Sequence, residues 1–417
     1  MIMLSNKFDE LMKYISEAFE KLKMYKNQNT FLVFHDDADG ITSASILRVL
    51  LTELGFNIRE ICLEKAYPHA LKMIHEEAKE DTVVVYADIG SPHAKLIKKL
   101  SKNNLVIILD HHDAPKFFAD NLYNINPEFF GFSGESEVSG STIAYIFARR
   151  LGEKIIEYSK LALIGSYEIP GPIKGLNEIP LSEAIKFGAA KVRGTSILIG
   201  TSRGYLNRGT LSKMLTILGS VAYYANGPKI AIKACLANFP KEVFEVARRF
   251  EEKRSTANKK LLRILKGRGL HDSKYVQWFM DGGVFKGMGT KVIGTFCSYL
   301  VYRSRLINQE KYLVGFMDVL PEIPGLGALP NELVKFSVRV PIKLKEMINS
   351  ETYPPSSSIS VLAASKYGGF ADGHAYASSG VIPKGKEVLL IEEMDKLIEE
   401  WKSARKGSRK SLITNFF

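Results

Sequence analysis

Acidic and histidine side chains follow three short apolar runs of the sequence. They are His35, Asp37 and Asp39 after the first run, Asp88 after the second, and Asp110, His111 and His112 after the third. Carboxylates brought together in this way resist ionisation unless a cation compensates them. Carboxylate oxygens with a few imidazoles suit Mn²⁺ or Mg²⁺. No cysteine belongs to this set of residues, which argues against a structural zinc site. The residue types therefore predict a two-metal phosphoester hydrolase.

The elements that must position these residues are predicted to be parallel strands. The apolar runs have the length and composition of buried strands, and helical patterns alternate with them, which indicates a mostly parallel sheet. The carboxyl ends of such strands meet at one edge, where open α/β sheets bind their ligands. We expect His35, Asp37 and Asp39 to share one side of an extended segment, and Gly40 to turn the chain into a helix over 42–54. Asp and Gly are also ordinary turn residues, but three such strand ends in succession favour a site.

Three motifs carry a resemblance to a known family. They are His35-Asp36-Asp37-Ala38-Asp39-Gly40, Asp88-Ile89-Gly90 and Asp110-His111-His112. They resemble the first three motifs of the DHH phosphoesterase superfamily, in the form of archaeal RecJ-like nucleases. The resemblance implies one metal on His35, Asp37 and Asp88. It implies a second metal on Asp39, Asp88 and His111, with Asp88 bridging and His112 facing the scissile phosphate.

The fourth motif of that family departs from its usual pattern here. The family has an Asp a few residues after a Gly that ends an apolar helix, whereas this sequence has Gly165-Ser166-Tyr167-Glu168. Glu168 lies close to the expected position and is one methylene longer than Asp. Two interpretations stay open: Glu168 ligates the second metal, or it is an exposed loop acid.

Composition indicates a soluble protein of two domains. The chain has 417 residues, of which 46% are hydrophobic and 24% charged. Fifty-seven Lys and Arg against forty-five Asp and Glu give a formal charge of +12, which favours a polyanionic partner, although a basic balance alone is weak evidence. Cys62, Cys235 and Cys297 are interpreted as buried packing thiols in a reducing compartment. Without a membrane-length apolar run or a signal pattern, we expect a cytoplasmic protein.

The predicted fold class is α/β. The resemblance implies a parallel-sheet DHH catalytic domain over 1–240, which includes an N-terminal helix and a helical completion over 181–238. A helical connector over 241–273 joins it to a smaller α/β DHH-associated domain over 274–401. A polar basic tail over 402–417 is not expected to pack.

Two motifs of the second domain resemble substrate-binding motifs of DHH-associated domains. Ser337-Val338-Arg339 matches a serine, apolar, arginine strand, and Arg339 would fork onto a phosphate. The stretch Tyr367–Gly380 resembles the family's Gly-Gly-Gly-His motif, interrupted here by Phe370-Ala371-Asp372. The resemblance implies that Gly368, Gly369 and Gly373 offer backbone amides and that His374 contacts a phosphate. An exposed strand arginine with no partner is the alternative for Arg339.

The C-terminal residues resemble the peptide by which proteins dock on the sliding clamp (PCNA). Ile413 is followed three positions on by Phe416 and Phe417, so the anchor and an aromatic ring would share one side of a helical turn. The alternative is a tail that folds back onto its own domain.

The predicted function is exonucleolytic hydrolysis of single-stranded DNA, or of RNA, with two Mn²⁺ or Mg²⁺ ions and release of mononucleotides. Asp88, His112, Arg339 and His374 are the candidate catalytic residues. A role in replication or repair, beside a helicase or replisome component, fits this prediction. A phosphodiesterase for very short oligonucleotides or cyclic dinucleotides, and a non-catalytic replication or repair scaffold, are the alternatives.

Overall fold

The structure, a computed structural model, describes residues 2–303 and 305–407. Two compact units make up this part of the chain. The first contains the chain up to Glu251 together with Glu322–Ala328, and the second contains Glu252–Pro321 and the chain from Leu329. The predicted boundaries at 240 and 274 bracket the junction, which falls within one long helix.

A five-stranded, all-parallel sheet forms the centre of the first unit, in the order β2-β1-β3-β4-β5. Its strands are β1 (Asn29–His35), β2 (Asn57–Leu63), β3 (Val83–Ala87), β4 (Leu105–Leu109) and β5 (Leu122–Ile125). Every residue of β3 and β4 is buried, as expected for strands covered on both faces. The predicted parallel sheet is confirmed, and the carboxyl ends of its strands lie along one edge.

Helices surround this sheet within the first unit, some in contact with the sheet and others with the helices that cover it. They are α1 (Ile2–Lys23), α2 (Ala38–Glu53), α3 (Pro68–Glu77), α4 (Ala94–Leu100), α5 (Gly140–Ala148), α6 (Ser159–Gly165), α7 (Glu178–Lys186), α8 (Arg208–Thr216) and α9 (Gly227–Leu236). The first ten residues of α2 are all buried, which makes it the central helix of the unit. The predicted amphipathic N-terminal helix is confirmed, because α1 buries Leu11, Ile15, Phe19 and Leu22.

Three local predictions for this unit are wrong. Helix α2 begins at Ala38 rather than at residue 42, because the Asp37 side chain caps it by accepting a hydrogen bond from the Gly40 amide at 3.1 Å. Strand β5 lies within the region predicted as a loop after His112. The region predicted as helical over 181–238 also contains an antiparallel sheet of β6 (Ala190–Arg193), β7 (Ser196–Thr201) and β8 (Gly204–Asn207).

The second unit is built on a six-stranded mixed sheet in the order β15-β16-β14-β11-β10-β9, in which β10 and β11 run parallel. Helix α10 (Lys241–Arg268) starts in the first unit and continues into the second, and it lies within the predicted connector. The elements that follow are β9 (His271–Asp272), β10 (Val276–Met280), α11 (Lys291–Arg303), β11 (Tyr312–Asp318), β12 (Glu322–Ile323), β13 (Gly327–Ala328), β14 (Leu333–Arg339), α12 (Ile342–Asn349), α13 (Ser356–Lys366), β15 (Phe370–His374), β16 (Ala377–Pro383) and α14 (Glu387–Gly407). The β12–β13 hairpin belongs to the first unit.

The start of the basic tail differs from its prediction. Helix α14 continues to Gly407, and Lys402 Nζ lies 2.8 Å from the Tyr353 hydroxyl and 4.1 Å from the centre of that ring. Lys402 therefore packs against the second unit. The predicted clamp-binding residues Ile413, Phe416 and Phe417 lie outside the described residues.

Two further findings concern the cysteines and the apolar character of the helices. Cys62, Cys235 and Cys297 are free and buried, as predicted. Among the described helices, none combines the length and the apolar character that a membrane span requires.

Candidate metal centre

Three neighbouring strands of the central sheet carry the predicted ligands at their carboxyl ends. His35 is the last residue of β1, Asp88 directly follows β3, and His111 comes two residues after β4. Because β1, β3 and β4 are adjacent and parallel, these residues converge although they are far apart in sequence.

The side chains form two clusters that share Asp88. In the first, ligand atoms of His35, Asp37 and Asp88 all lie within 4.8 Å of one another, and in the second the same holds for Asp88, His111 and His112. His35 Nδ1 lies 3.0 Å from Asp37 Oδ2 and 3.6 Å from Asp88 Oδ2. His111 Nε2 lies 3.3 Å from Asp88 Oδ1. Asp88 therefore belongs to both clusters, and its role as a bridging ligand stays a prediction.

Asp39 adjoins the second cluster from the first turn of α2. Its Oδ2 lies 3.6 Å from His111 Nε2. The amides of Gly140 and Ser141, at the start of α5, each donate to its carboxylate at 2.8 Å. A helix N-terminus stabilises negative charge, so α5 fixes the Asp39 carboxylate and supports its ionised form.

The backbone of Asp88 is strained. Its φ of 60° lies in the left-handed region, which Asp adopts more readily than most non-glycine residues. Its amide donates to Leu109 O at 2.8 Å, which ties the turn to β4. Strain of this kind persists where the surrounding structure enforces it, commonly at functional sites.

Burial or neighbouring carboxylates raise the pKa values of several groups at this centre. Burial, followed by the charge of Asp88, raises the pKa of Asp39 to about 7. Burial alone would lower the pKa of His111, but the adjacent carboxylate of Asp88 raises it to about 10. The pKa of His35 is raised well above its usual range, because Asp37 and Asp88 outweigh burial. A divalent cation would replace these protons as the compensating positive charge.

The residues fit a divalent cation. Asp88 Oδ1 and His35 Nδ1 are buried and meet no donor or acceptor in hydrogen-bond geometry among the described residues. His111 Nδ1 lies 2.8 Å from Gly134 O, so an Nδ1–H donated to this carbonyl leaves Nε2 as the ligand atom. Carboxylates with a few imidazoles are a donor set for Mn²⁺ or Mg²⁺.

Asp110 positions His112, a role that the sequence did not reveal. Asp110 is fully buried, and its Oδ1 lies 2.7 Å from His112 Nδ1. Its carboxylate also accepts from the amides of Ser91, His111 and His112, at 2.8, 2.8 and 3.2 Å. Burial alone would raise the pKa of Asp110, but His112 lowers it, so the acid stays ionised. Its charge in turn raises the pKa of His112 against the effect of burial.

Glu128 supports His111 through one intervening residue. Its Oε1 accepts from the Gly134 amide at 3.1 Å, and the carbonyl of Gly134 is the partner of His111 Nδ1. No sequence signal pointed to either residue, because this support runs through a backbone carbonyl.

Two glycines give the carboxylates room. A Cβ atom at Gly140 would lie 2.7 Å from Asp88 Cγ, and one at Gly165 would lie 2.6 Å from Asp39 Oδ1. Neither glycine has a positive φ, so close approach rather than backbone freedom explains them.

Glu168 lies outside both clusters. It is exposed, in a short 3₁₀ turn after α6, and its Oε1 accepts from Thr216 Oγ1 at 2.7 Å and from Ser212 Oγ at 3.4 Å. The structure thus places its carboxylate on α8, and its role as a metal ligand stays a prediction.

The predicted substrate residues of the second unit occupy strand ends. Arg339 ends β14, and its guanidinium donates to Ser298 Oγ at 2.9 Å and to Val338 O at 2.8 Å. His374 is exposed at the end of β15. Gly373 lies within the β15–β16 hairpin, and Gly368 and Gly369 precede β15. Their role in anion binding stays a prediction.

Comparison with known proteins identifies one domain of the chain. A profile described as "DHH family, N-terminal domain" matches residues 29–166, which include both clusters. Residues 29–166 therefore form a DHH-family domain. The chain as a whole has a fold similar to that of RecJ.

Similar proteins cover most of the length of this chain. An uncharacterized protein of Methanocaldococcus jannaschii is 23% identical over 428 residues, which span 88% of this chain and 93% of that protein. RecJ from Thermus thermophilus in complex with Mn²⁺ superposes with a TM-score of 0.63 and 17% identity, over 94% of this chain. The present chain spans only 55% of that RecJ chain, which has also been solved with Mg²⁺. Another manganese-bound exonuclease RecJ gives a TM-score of 0.57 and 16% identity, over 93% of this chain and 94% of its own.

Proposed function

We propose that this DHH protein is a metal-dependent phosphodiesterase that removes mononucleotides from an end of single-stranded nucleic acid. The observation that carries the proposal is the sharing of Asp88 between two ligand clusters. Shared carboxylates are the arrangement by which two-metal sites hold cations close enough to act on one phosphate. The RecJ fold and the formal charge of +12 support a nucleic-acid substrate.

The chain's own residues supply binding and proton transfer. His35, Asp37 and Asp88 would hold one Mn²⁺ or Mg²⁺ ion, and Asp88 with Asp39 and His111 would hold another. When bound, such ions neutralise charge on phosphoryl oxygens and lower the pKa of a bound water molecule, so that hydroxide forms at near-neutral pH.

His112 is the proposed proton donor. Its Nδ1 is engaged by Asp110, which orients the ring and raises its pKa, so the imidazolium can donate from Nε2 to a phosphoryl or leaving oxygen. Arg339 and His374 are proposed to contact substrate phosphates, and a hydrogen-bonded guanidinium such as that of Arg339 is pre-oriented for this task.

Replacement of Asp88 tests the proposal. Asp88→Ala removes the carboxylate common to both clusters, so Mn²⁺-dependent release of mononucleotides from end-labelled single-stranded DNA and RNA should fall to background. Asp120→Ala, which removes an exposed carboxylate of the same unit, is the matched control and should retain wild-type rates. Equal hydrolysis by Asp88→Ala and wild type would refute the assignment.

Digestion of an oligonucleotide length series separates the alternatives. Turnover confined to dinucleotides would indicate a phosphodiesterase for very short substrates. A folded, Mn²⁺-binding wild type without turnover of any length would indicate a replication or repair scaffold. Docking on a sliding clamp through Ile413, Phe416 and Phe417 stays a prediction, which binding of a peptide of residues 408–417 to purified clamp would check.

A further inference from the structure

One segment of the first unit has an unusual charge balance. Residues 184–240 contain no Asp or Glu, although the chain has forty-five of them elsewhere. The same segment contains eight basic residues: Lys186, Lys191, Arg193, Arg203, Arg208, Lys213, Lys229 and Lys233. It lies beyond the part of the chain that matches the DHH family. A surface with one sign of charge attracts polyanions.

The sheet β6–β8 presents part of this charge outward. Ala190 pairs with Ile199, and both are buried, so their side chains define the inner face of the sheet. Lys191 and Arg193 flank the next inner-facing position and therefore lie on the outer face. Both are exposed, and neither forms an ion pair with a described carboxylate. Their charges are available to a partner.

An aromatic ring accompanies these cations on the outer face. Tyr205 pairs with Gly200, which has no side chain to compete for the space, and 39% of Tyr205 is exposed. The Tyr205 hydroxyl donates to Gly188 O at 3.0 Å, and Lys191 Nζ lies 4.2 Å from the ring centre. The sheet thus holds a ring and an ammonium group together at the surface.

A second pair of the same kind joins the start of α8 to the turn that follows α6. Arg208 is the first residue of α8, directly after β8, and its guanidinium carbon lies 5.3 Å from the ring centre of Tyr167. Tyr167 is 50% exposed. It comes two residues after Gly165, which packs against Asp39 of the metal centre.

We infer that these five residues form a track for single-stranded nucleic acid, which leads from the metal centre to the outer face of β6–β8. The track consists of Tyr167, Arg208, Tyr205, Lys191 and Arg193. Cations contact backbone phosphates, while exposed rings stack on bases, and this combination distinguishes single strands from duplexes. The inference deepens the proposed function by giving the strand a path away from the cleaved end.

Equilibrium binding without metal tests the track separately from hydrolysis. Fluorescently labelled oligothymidylate is titrated in EDTA with wild type and with the double variant Lys191→Gln/Arg193→Gln. Loss of two phosphate contacts should weaken binding by roughly tenfold and reduce the slope of log affinity against log salt by about 1.4. Lys13→Gln/Lys95→Gln, which removes two exposed lysines elsewhere on the unit, should bind nearly as wild type does.

A third variant tests stacking. Tyr205→Ala should weaken binding of the single strand by about tenfold and leave binding of a matched duplex nearly unchanged, whereas Tyr205→Phe retains the ring and most of the affinity. Circular dichroism and thermal unfolding verify that each variant is folded.

Three results would overturn the track: wild-type affinity in the double variant, an equal loss in the control pair, or an equal loss for duplex in Tyr205→Ala. The proposed function fails in a different way. If wild type binds the strand through the track but does not hydrolyse it with Mn²⁺, the hydrolytic proposal is refuted and the track stands.

Discussion

Gly140→Ala should disable the metal centre through a single added methyl group. The new Cβ would lie 2.7 Å from Asp88 Cγ, whereas carbon atoms prefer separations of about 3.5–4.0 Å. Relief of this clash requires the shared carboxylate or the start of α5 to move by about 1 Å. The φ of Gly140 is not positive and alanine favours helices, so crowding is the only penalty.

The expected loss is large because the displaced group serves both clusters. Misplacement of a positioning group by about 1 Å can lower a rate by about 10²-fold, and overpacking of this kind costs about 1–3 kcal/mol of stability. Hydrolysis of end-labelled single strands gives the rate, and calorimetric titration gives the Mn²⁺ affinity of the folded variant. Both should fall.

The control is another glycine-to-alanine change. Gly267 lies within α10, has no positive φ and would place its Cβ in open space, so Gly267→Ala should stabilise the helix slightly and leave hydrolysis unchanged. Wild-type Mn²⁺ affinity and rate in Gly140→Ala would show that the crowding argument is incorrect.

Two further predictions concern buried polar pairs. Asp110→Asn should lower kcat by about 10–100-fold, with less effect on Mn²⁺ affinity, because an amide cannot replace the carboxylate that orients His112; an unchanged pH–rate profile would count against this role. Stability should fall by up to about 3 kcal/mol between pH 6.5 and pH 4, because burial lowers the pKa of His75 to about 4 and protonation then favours the unfolded chain. Urea unfolding measures the free energy of unfolding across this pH range. His75→Gln retains a partner for the Tyr86 hydroxyl and should show a weaker pH dependence of this free energy than the control His69→Gln, which changes an exposed histidine.

Convergence of the ligands could be predicted from the sequence because it follows from strand direction alone. Apolar runs that end in His35, Asp88 and Asp110 must meet once the strands are parallel and adjacent. Asp39 was also expected at this edge of the sheet, but on an extended segment. Asp37 caps α2 earlier than expected, so Asp39 reaches the centre from a helical turn rather than from an extended segment.

The supporting contacts could not be predicted because they depend on backbone groups. The amides at the start of α5 hold Asp39, and the carbonyl of Gly134 holds His111, but neither interaction leaves a signature in residue type. The β6–β8 sheet was missed because its strands are short and only half-buried, so their alternation is weak beside the helical patterns around them.

A carboxylate that faces two clusters makes their occupancies interdependent. An ion held by His35 and Asp37 would fix the orientation of Asp88, and a second ion beside His111 would then bind to a ligand that is already ordered. By thermodynamic reciprocity, each ion must change the affinity of the other by the same factor. Metal loading at the two clusters is therefore expected to be coupled rather than independent.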